Sequence, residues 1–142
     1  MADKFIGAPY PIVKTARGLL QKIVGADSIK ADLLALLLTN PGERVMLPTY
    51  GTPLRRLLFE PNDRLVVEEA REMIINSINT WEPRITVDQI EINNSIDESL
   101  LNDEDPKEDM EHILSISIIF FDPDNILDVQ ELKLEVPLIG GQ

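Results

Sequence analysis

The 142-residue sequence lacks cysteine and contains a single histidine, His112. Without cysteine the chain can form no disulfide, thiolate metal site or thiol nucleophile, and one histidine argues against a histidine-rich metal centre or a histidine-dependent triad. Long apolar runs are also missing, because the longest, Leu33–Leu38, falls far short of the ~20 residues of a membrane-spanning helix. Segment 1–11 has no apolar run typical of a signal peptide. We therefore expect no metal, no cofactor and no membrane association.

Basic residues are scarce as well. The chain has 13 Lys and Arg residues against 25 Asp and Glu residues, which gives a net charge of −12. This excess disfavours binding to nucleic acid or to an anionic membrane through bulk charge. More than half of it lies in segment 95–111, where eight acids and one lysine give −7. The segment is predicted to be a long, self-repelling hairpin loop.

The remaining composition, 44% hydrophobic and 27% charged, is typical of one globular domain, here spanning 1–142. Prolines and glycines punctuate residues 1–26, which are predicted to form an extended N-terminal arm. Asp27 or Ser28 is then expected to cap a helix. That helix is apolar nearly all round, so it should be buried, and it should end at 39–42.

Two further helices are predicted downstream. Thr52 followed by proline indicates an N-cap and first position, with a short helix running over 53–59. Asn62 or Asp63 is expected to cap the next helix, whose apolar stripe continues to about Trp81.

Beyond Arg84 the apolar period changes to two, which predicts strands. The first, 85–92, changes phase near Gln89 and so should contain a bulge. The second, 113–121, is apolar on both faces and is expected to be central, whereas 129–136 alternates cleanly and should be an edge strand ended by Pro137. The predicted class is α+β, with the N-terminal arm and helices packed on a small antiparallel sheet of about three strands.

The segments 41–44 and 50–61 combine turn residues with arginines. One interpretation is purely structural: a helix stop and a short helix, with the arginines paired to Glu43 or Glu60. The other is a recognition surface, because arginine forks suit carboxylates. The candidate contact residues on that surface are Gly42, Glu43, Arg44, Tyr50, Gly51, Arg55 and Arg56.

The run Trp81-Glu82-Pro83-Arg84 is a second candidate. A helix-to-strand corner explains the proline, which cannot continue a helix. It does not explain why an acid and a base flank that proline. A rigid corner that presents Glu82 and Arg84 in fixed directions would suit docking to a partner.

The edge of the third strand is another candidate. Lys133 and Pro137 are residues that natural edges use against unwanted pairing. The alternative is that a partner's extended arm adds a strand there. The apolar side of this edge consists of Leu132, Leu134 and Val136.

Catalysis is not expected. Two acids could in principle flank a glycosidic bond, and Glu43, Glu60 and Glu82 are the acids outside plainly solvated positions. With 25 acidic residues such a pairing has almost no specificity. His112 is expected to be a surface or cross-strand residue, and no phosphate-binding loop or nucleophile elbow is present.

Several runs, in this order and spacing, resemble the baseplate wedge or sheath-initiator family of contractile phage tails. The same family supplies the E component of type VI secretion baseplates. The resemblance extends from Phe5 to about Ile92. It is carried by Phe5-Ile6-Gly7, Tyr10-Pro11-Ile12, Thr39-Asn40-Pro41-Gly42-Glu43-Arg44, Met46, Pro48, Tyr50-Gly51, Leu54, Leu58-Phe59-Glu60-Pro61 and Trp81-Glu82-Pro83-Arg84-Ile85.

The resemblance implies a structural, non-enzymatic part of a virion tail baseplate, assembled in the host cytoplasm and present in six copies. It implies that Glu82, Pro83 and Arg84 dock on baseplate wedge core proteins. It further implies that the tail sheath protein lends strands to the sheet, so that the protein initiates and anchors the sheath.

Other functions remain open. The N-terminal arm favours a phage tail over a type VI or extracellular injection system. Less favoured alternatives are a muralytic, lysozyme-like enzyme and a regulatory adaptor of the same general fold.

Overall fold

The computed structural model describes residues 5–60, 64–96 and 112–138. Two α-helices are present in these ranges: α1, Ala26–Leu38, and α2, Arg64–Trp81. A 3₁₀ helix, Leu54–Phe59, lies between them in sequence. The segment 97–111, predicted as most of the acidic hairpin loop, and the predicted caps Asn62 and Asp63 lie outside the described residues.

The main sheet has three antiparallel strands in the order β3-β4-β5: β3, Thr86–Ile96; β4, His112–Asp122; and β5, Asn125–Leu138. The central position of β4 and the bulge, which falls between Val87 and Gln89, are confirmed. The predicted bounds of the acidic loop and of the third strand need correction. The ladder between β3 and β4 continues to the pair Ile96–His112, so Ser95 and Ile96 are strand rather than loop. Strand β5 also continues past Pro137 to Leu138.

One hydrophobic core joins the helices to one face of this sheet. Alternate residues of β4 point into it, because successive side chains of a strand face opposite sides. The α+β prediction of helices on an antiparallel sheet is therefore confirmed. The most deeply buried side chains of the core include Ile29, Leu33, Leu36, Leu57, Ile74, Ile78, Leu114, Ile116, Ile118 and Phe120.

The N-terminal arm is more regular than its prolines and glycines predicted. Residues Ile6–Gly7 form strand β1, which pairs antiparallel with β2, Ile23–Val24. Between them the bridge Lys14–Leu20 continues the approach of the two segments. The arm is therefore a hairpin that closes on itself just before α1.

The predicted caps of α1 and of the short helix are wrong. Helix α1 begins at Ala26 with Gly25 as its N-cap, and no side chain caps it. The short helix begins after Pro53, and Thr52 does not cap it, since its hydroxyl donates to the Leu36 carbonyl at 3.3 Å. The tertiary contact with α1 thus replaces the local cap that the sequence indicated.

Candidate docking sites

The corner after α2 is held by an ion-pair network in which Glu82 is buried and the other members are partly exposed. The Arg84 guanidinium donates to both carboxylate oxygens of Glu82 at 2.5 Å, and its Nη2 also donates to Asp32 on α1 at 2.5 Å. Its Cζ lies 5.2 Å from the centre of the Phe5 ring. The hydrogen bonds with Glu82 are the largest influence that raises the pKa of Arg84 above its usual range. This arginine therefore connects α1, the corner and the start of the described chain.

The two charges flanking the proline were predicted to face a partner, and the structure turns them towards each other. The Glu82 side chain is only 6% exposed, while that of Arg84 is 31% exposed. Pro83 is the exposed residue of the corner. Asp32, which is 52 residues away along the chain and completes the network, was not among the predicted site residues.

An aromatic and cationic stack lies on the neighbouring surface. The Arg44 guanidinium carbon sits 3.8 Å from the centre of the Tyr50 ring. The Tyr50 ring meets Trp81 edge to face, with ring centres 5.3 Å apart. Burial raises the pKa of Tyr50, and the nearby Arg44 charge acts in the opposite direction. The structure therefore places Arg44 and Tyr50, from the first candidate surface, next to Trp81 at the corner, which was the second candidate.

The chain between α1 and the 3₁₀ helix is fixed by hydrogen bonds to the C-terminal end of α1 and to α2. Thr52 N–H donates to the Thr39 carbonyl at 2.9 Å, and the Ser77 hydroxyl of α2 donates to the Gly51 carbonyl at 3.2 Å. Gly51 has a φ of 125°, and a Cβ there would lie 2.3 Å from the Thr39 carbonyl oxygen. Glycine is required here by both backbone conformation and space.

The other predicted arginines have internal partners. Arg55 donates to Glu43 at 3.3 Å, and Glu43 also accepts from the Asn40 N–H at 3.1 Å. Arg56 lies 4.0 Å from Glu69 on α2. These pairs are exposed, so each contributes little to stability. The internal pairing that the sequence allowed is thus observed, with Glu69 in the place of Glu60.

Strand β5 is the other candidate site. In the described part of the chain it pairs with β4 and has no strand on its other side. Leu132 is buried, and Leu134 and Val136 are half-buried against the core. These three side chains therefore face the core rather than the open edge. On the opposite face Glu131 accepts from Ser117 at 2.7 Å and lies 3.4 Å from Lys133.

The expected placement of the candidate acids needs correction. Glu82 is buried, but Glu43 and Glu60 are exposed, because neither is packed under another element. The buried acid missed by the sequence is Asp122, whose Oδ1 accepts from the Asp124 N–H at 3.0 Å in the turn before β5. The side chain of His112 lies outside the described atoms.

Within 5–60, 64–96 and 112–138, no group of three or more His, Asp or Glu residues could hold a metal ion. Over the same ranges, neither α1 nor α2 combines the length and apolar character of a membrane-crossing helix.

Comparison with known proteins identifies the family. The family model described as baseplate wedge protein gp25 matches residues 24–120, more than half of the chain. The chain belongs to this family. It is thus a baseplate component of a contractile phage tail or a related injection system, as its sequence resemblance implied.

One curated relative matches most of the chain, and a solved structure shares its fold. Baseplate wedge protein gp25 of Enterobacteria phage T4 is 28% identical over 117 residues, covering 82% of this chain and 79% of the relative. A baseplate chain of the anti-feeding prophage shares the fold with a TM-score of 0.66, at 22% identity, over 87% of this chain and 89% of that chain.

Two further solved structures share the fold of this gp25-family protein. A baseplate chain of post-contraction pyocin R2 has a TM-score of 0.51 at 22% identity, covering 89% of this chain and 97% of that chain. A protein titled putative tail lysozyme from Geobacter sulfurreducens has a TM-score of 0.58 at 20% identity, covering 84% and 96%.

Proposed function

We propose that this protein is a non-enzymatic structural part of a phage tail baseplate that docks on the wedge core and initiates the sheath. The observation that carries the sheath role is the open edge of β5. A long strand with one free edge offers a row of backbone donors and acceptors to an incoming strand. The tail sheath protein is the proposed donor of that strand.

The position of Pro137 in the ladder shows which backbone N–H groups of β5 point to the open edge. Pro137 is paired with Ile113 in the β4–β5 ladder although it has no N–H, so this pair is one whose backbone groups point away from each other. The alternation continues without a break back to Val129. The N–H groups of Glu131, Lys133 and Glu135 therefore point to the open edge, while that of Leu132 points to β4.

An added strand would also continue the core. Leu134 and Val136 are only half-buried, and they lie on the core face of the edge strand. A partner strand with apolar residues on the same face would cover them, since adjacent strands align their side chains face by face. Many backbone hydrogen bonds then share the load of a joint that must hold during contraction.

The corner is proposed as the contact with the wedge core. Glu82 and Arg84 hold it in one shape through their mutual hydrogen bonds, and Pro83 is exposed at its tip. The contact would then depend on the shape of the corner and on the exposed part of Arg84. Six copies per baseplate are proposed, which agrees with the 6-fold symmetry applied to the anti-feeding prophage baseplate.

The absence of catalysis is also part of the proposal. Glu82 was one of three candidate acids of a muralytic pair, and it is buried and bonded twice to Arg84 at 2.5 Å. A carboxylate in that state is committed to a structural ion pair. The regulatory-adaptor alternative has no observation in its favour beyond the shared fold.

Strand addition is tested by Lys133→Pro. This change removes an N–H that faces the open edge and leaves the β4–β5 ladder its hydrogen bonds. The measurement is the fraction of tails that carry a sheath, counted by electron microscopy in cells that lack the wild-type gene. We expect at least about a tenfold fall, because proline interrupts the row of donors that the partner needs.

The matched control is Lys133→Ala, which removes the same side chain but keeps the N–H. It should support sheath assembly at close to the wild-type level. Purified Lys133→Pro protein should retain a cooperative thermal transition, which excludes misfolding as the cause. Normal sheaths on the proline variant, or equal loss with proline and alanine, would show that β5 does not receive a strand.

A further inference from the structure

The loop of residues 41–49 carries two nearly fully exposed apolar side chains. Val45 is 93% exposed and Met46 is 92% exposed. The loop is nevertheless fixed by its own backbone. Gly42 N–H donates to the Pro48 carbonyl at 2.7 Å, and Leu47 N–H donates to the Arg44 carbonyl at 3.3 Å. Two adjacent exposed apolar side chains on a loop that is held by its own hydrogen bonds are typical of a contact surface.

Arg44, next to this pair, has no acid partner among the residues that the structure describes. Its neighbour Glu43 is engaged by Arg55 and by the Asn40 N–H instead. The Arg44 guanidinium lies over the Tyr50 ring, with its Cζ 3.8 Å from the ring centre, and the Tyr50 ring contacts Trp81 edge to face. The guanidinium is therefore held in place by aromatic packing, and within 5–60, 64–96 and 112–138 no carboxylate accepts from its N–H groups.

The loop does not share the acidity of the whole chain. Its charged side chains are Glu43 and Arg44, so segment 41–49 is neutral in a protein of net charge −12. Arginine recognises carboxylates through parallel hydrogen bonds, and arginine, tyrosine and methionine are enriched in protein interfaces. A fork held on an aromatic ring loses less side-chain entropy on binding than a free one.

We propose that Arg44, Val45 and Met46 dock an acidic segment of another baseplate protein. Arg44 binds an Asp or Glu carboxylate of that segment, and Val45 and Met46 pack on apolar residues beside it. This surface uses neither the β5 edge nor the Pro83 corner. It is therefore independent of the proposed strand addition, and either can fail without the other.

The partner segment is identified by photo-crosslinking. Met46 is replaced by p-benzoylphenylalanine, the particles are assembled in cells and irradiated, and the crosslinked peptide is sequenced by mass spectrometry. We expect a peptide of a second baseplate protein with Asp or Glu within a few residues of the crosslink. A crosslink to a segment without an acid, or none in assembled particles, would overturn the proposal.

The role of charge is tested by Arg44→Glu. Incorporation of the protein into baseplates should fall at least about tenfold, the size expected for an interface hot spot. Reversal of the crosslinked acid to Arg in the partner should restore much of it. Arg44→Lys should give a partial loss, because lysine keeps the charge and lacks the planar fork.

A matched control exists on α2, where Arg64 is followed by Leu65, 76% exposed. Arg64→Glu makes the same change in charge, and an acid in the first turn of a helix is favourable. It should incorporate normally. Equal loss with Arg44→Glu and Arg64→Glu, or no rescue by the partner reversal, would show that bulk charge and not the fork is responsible.

Discussion

Arg84 was predicted to contact a partner, and in the structure it holds three parts of this chain together. It touches Glu82, Asp32 and the Phe5 ring, and so links the corner, α1 and the N-terminal chain. Glu82 is almost fully buried, so its charge depends on this one arginine. A buried carboxylate that loses its counter-ion is costly, whereas an exposed one is solvated.

We expect Arg84→Ala to lower the free energy of unfolding by about 2–3 kcal/mol, because it leaves the buried Glu82 carboxylate without its counter-ion. Glu82→Ala should cost less, since Arg84 keeps Asp32 and partial contact with water. The double variant should be less destabilised than the sum, with a coupling of about 1–2 kcal/mol. Denaturant unfolding measures all three.

The exposed pair Arg55–Glu43 provides the control for this cycle. Arg55→Ala should change stability by no more than about 0.5 kcal/mol, as is usual for surface ion pairs. If Arg84→Ala and Glu82→Ala are additive, the two side chains act independently and the brace does not exist.

At the scale of elements, the crossing of the 39–52 chain over α1 decides where the aromatic stack lies. Thr52 is buried and bonds to both Thr39 and Leu36. Gly51 permits this approach, because its hydrogen faces the Thr39 carbonyl at a distance too short for a methyl group. The position of Tyr50 next to Trp81 follows from this contact.

Gly51→Ala is therefore expected to be severe. It combines a backbone conformation unfavourable for alanine with a clash against main-chain atoms, and we expect a loss of about 2–4 kcal/mol in unfolding free energy. Gly42→Ala is the matched control. Gly42 also has a positive φ, of 93°, but no atom lies within 4 Å of its added Cβ.

Gly42→Ala should cost only about 1 kcal/mol, the conformational part alone. Urea unfolding of the two purified variants gives the difference, which is the contribution of close packing at Gly51. Similar losses at the two glycines would mean that the chain moves aside and that the contact with α1 is loose.

At the scale of the molecule, the acidity is concentrated rather than general. The residues from 97 to 111 contribute −7 of the net −12. On either side of them Ile96 and His112 are already paired in the β3–β4 ladder. The register of β3 and β4 is therefore already defined by pairs outside the acidic segment.

Replacing 97–111 by a short Asn-Gly turn should leave the fold intact and change the net charge from −12 to −5. We expect unfolding free energy to rise by about 1 kcal/mol, because closing a shorter loop costs less entropy. The salt dependence of stability should also weaken. Unfolding in urea, which is uncharged, at low and high salt concentration measures both effects.

A variant of unchanged length with the acids replaced by their amides separates charge from length. It should reproduce the weaker salt dependence but not the entropic gain. A shortened variant that is less stable than the wild type would show that the acidic segment contributes contacts to the fold.

Much of the architecture was determined by the sequence itself. Apolar periodicity is a local property, so the helix ending at Trp81, the bulge at Gln89 and the central β4 could be predicted from it. The resemblance to the baseplate wedge family was equally visible, and the family match over residues 24–120 confirms it.

Only the tertiary structure decided which charges are available. Arg84, Arg55 and Arg44 look alike in the sequence, but the first is braced by Glu82 and Asp32 and the second pairs with Glu43. The third lies on Tyr50 and has no acid partner in the described part of the chain. Pairing between residues distant in the chain depends on packing, and local sequence does not encode it. For the same reason Thr52, an expected cap, bonds to α1 instead.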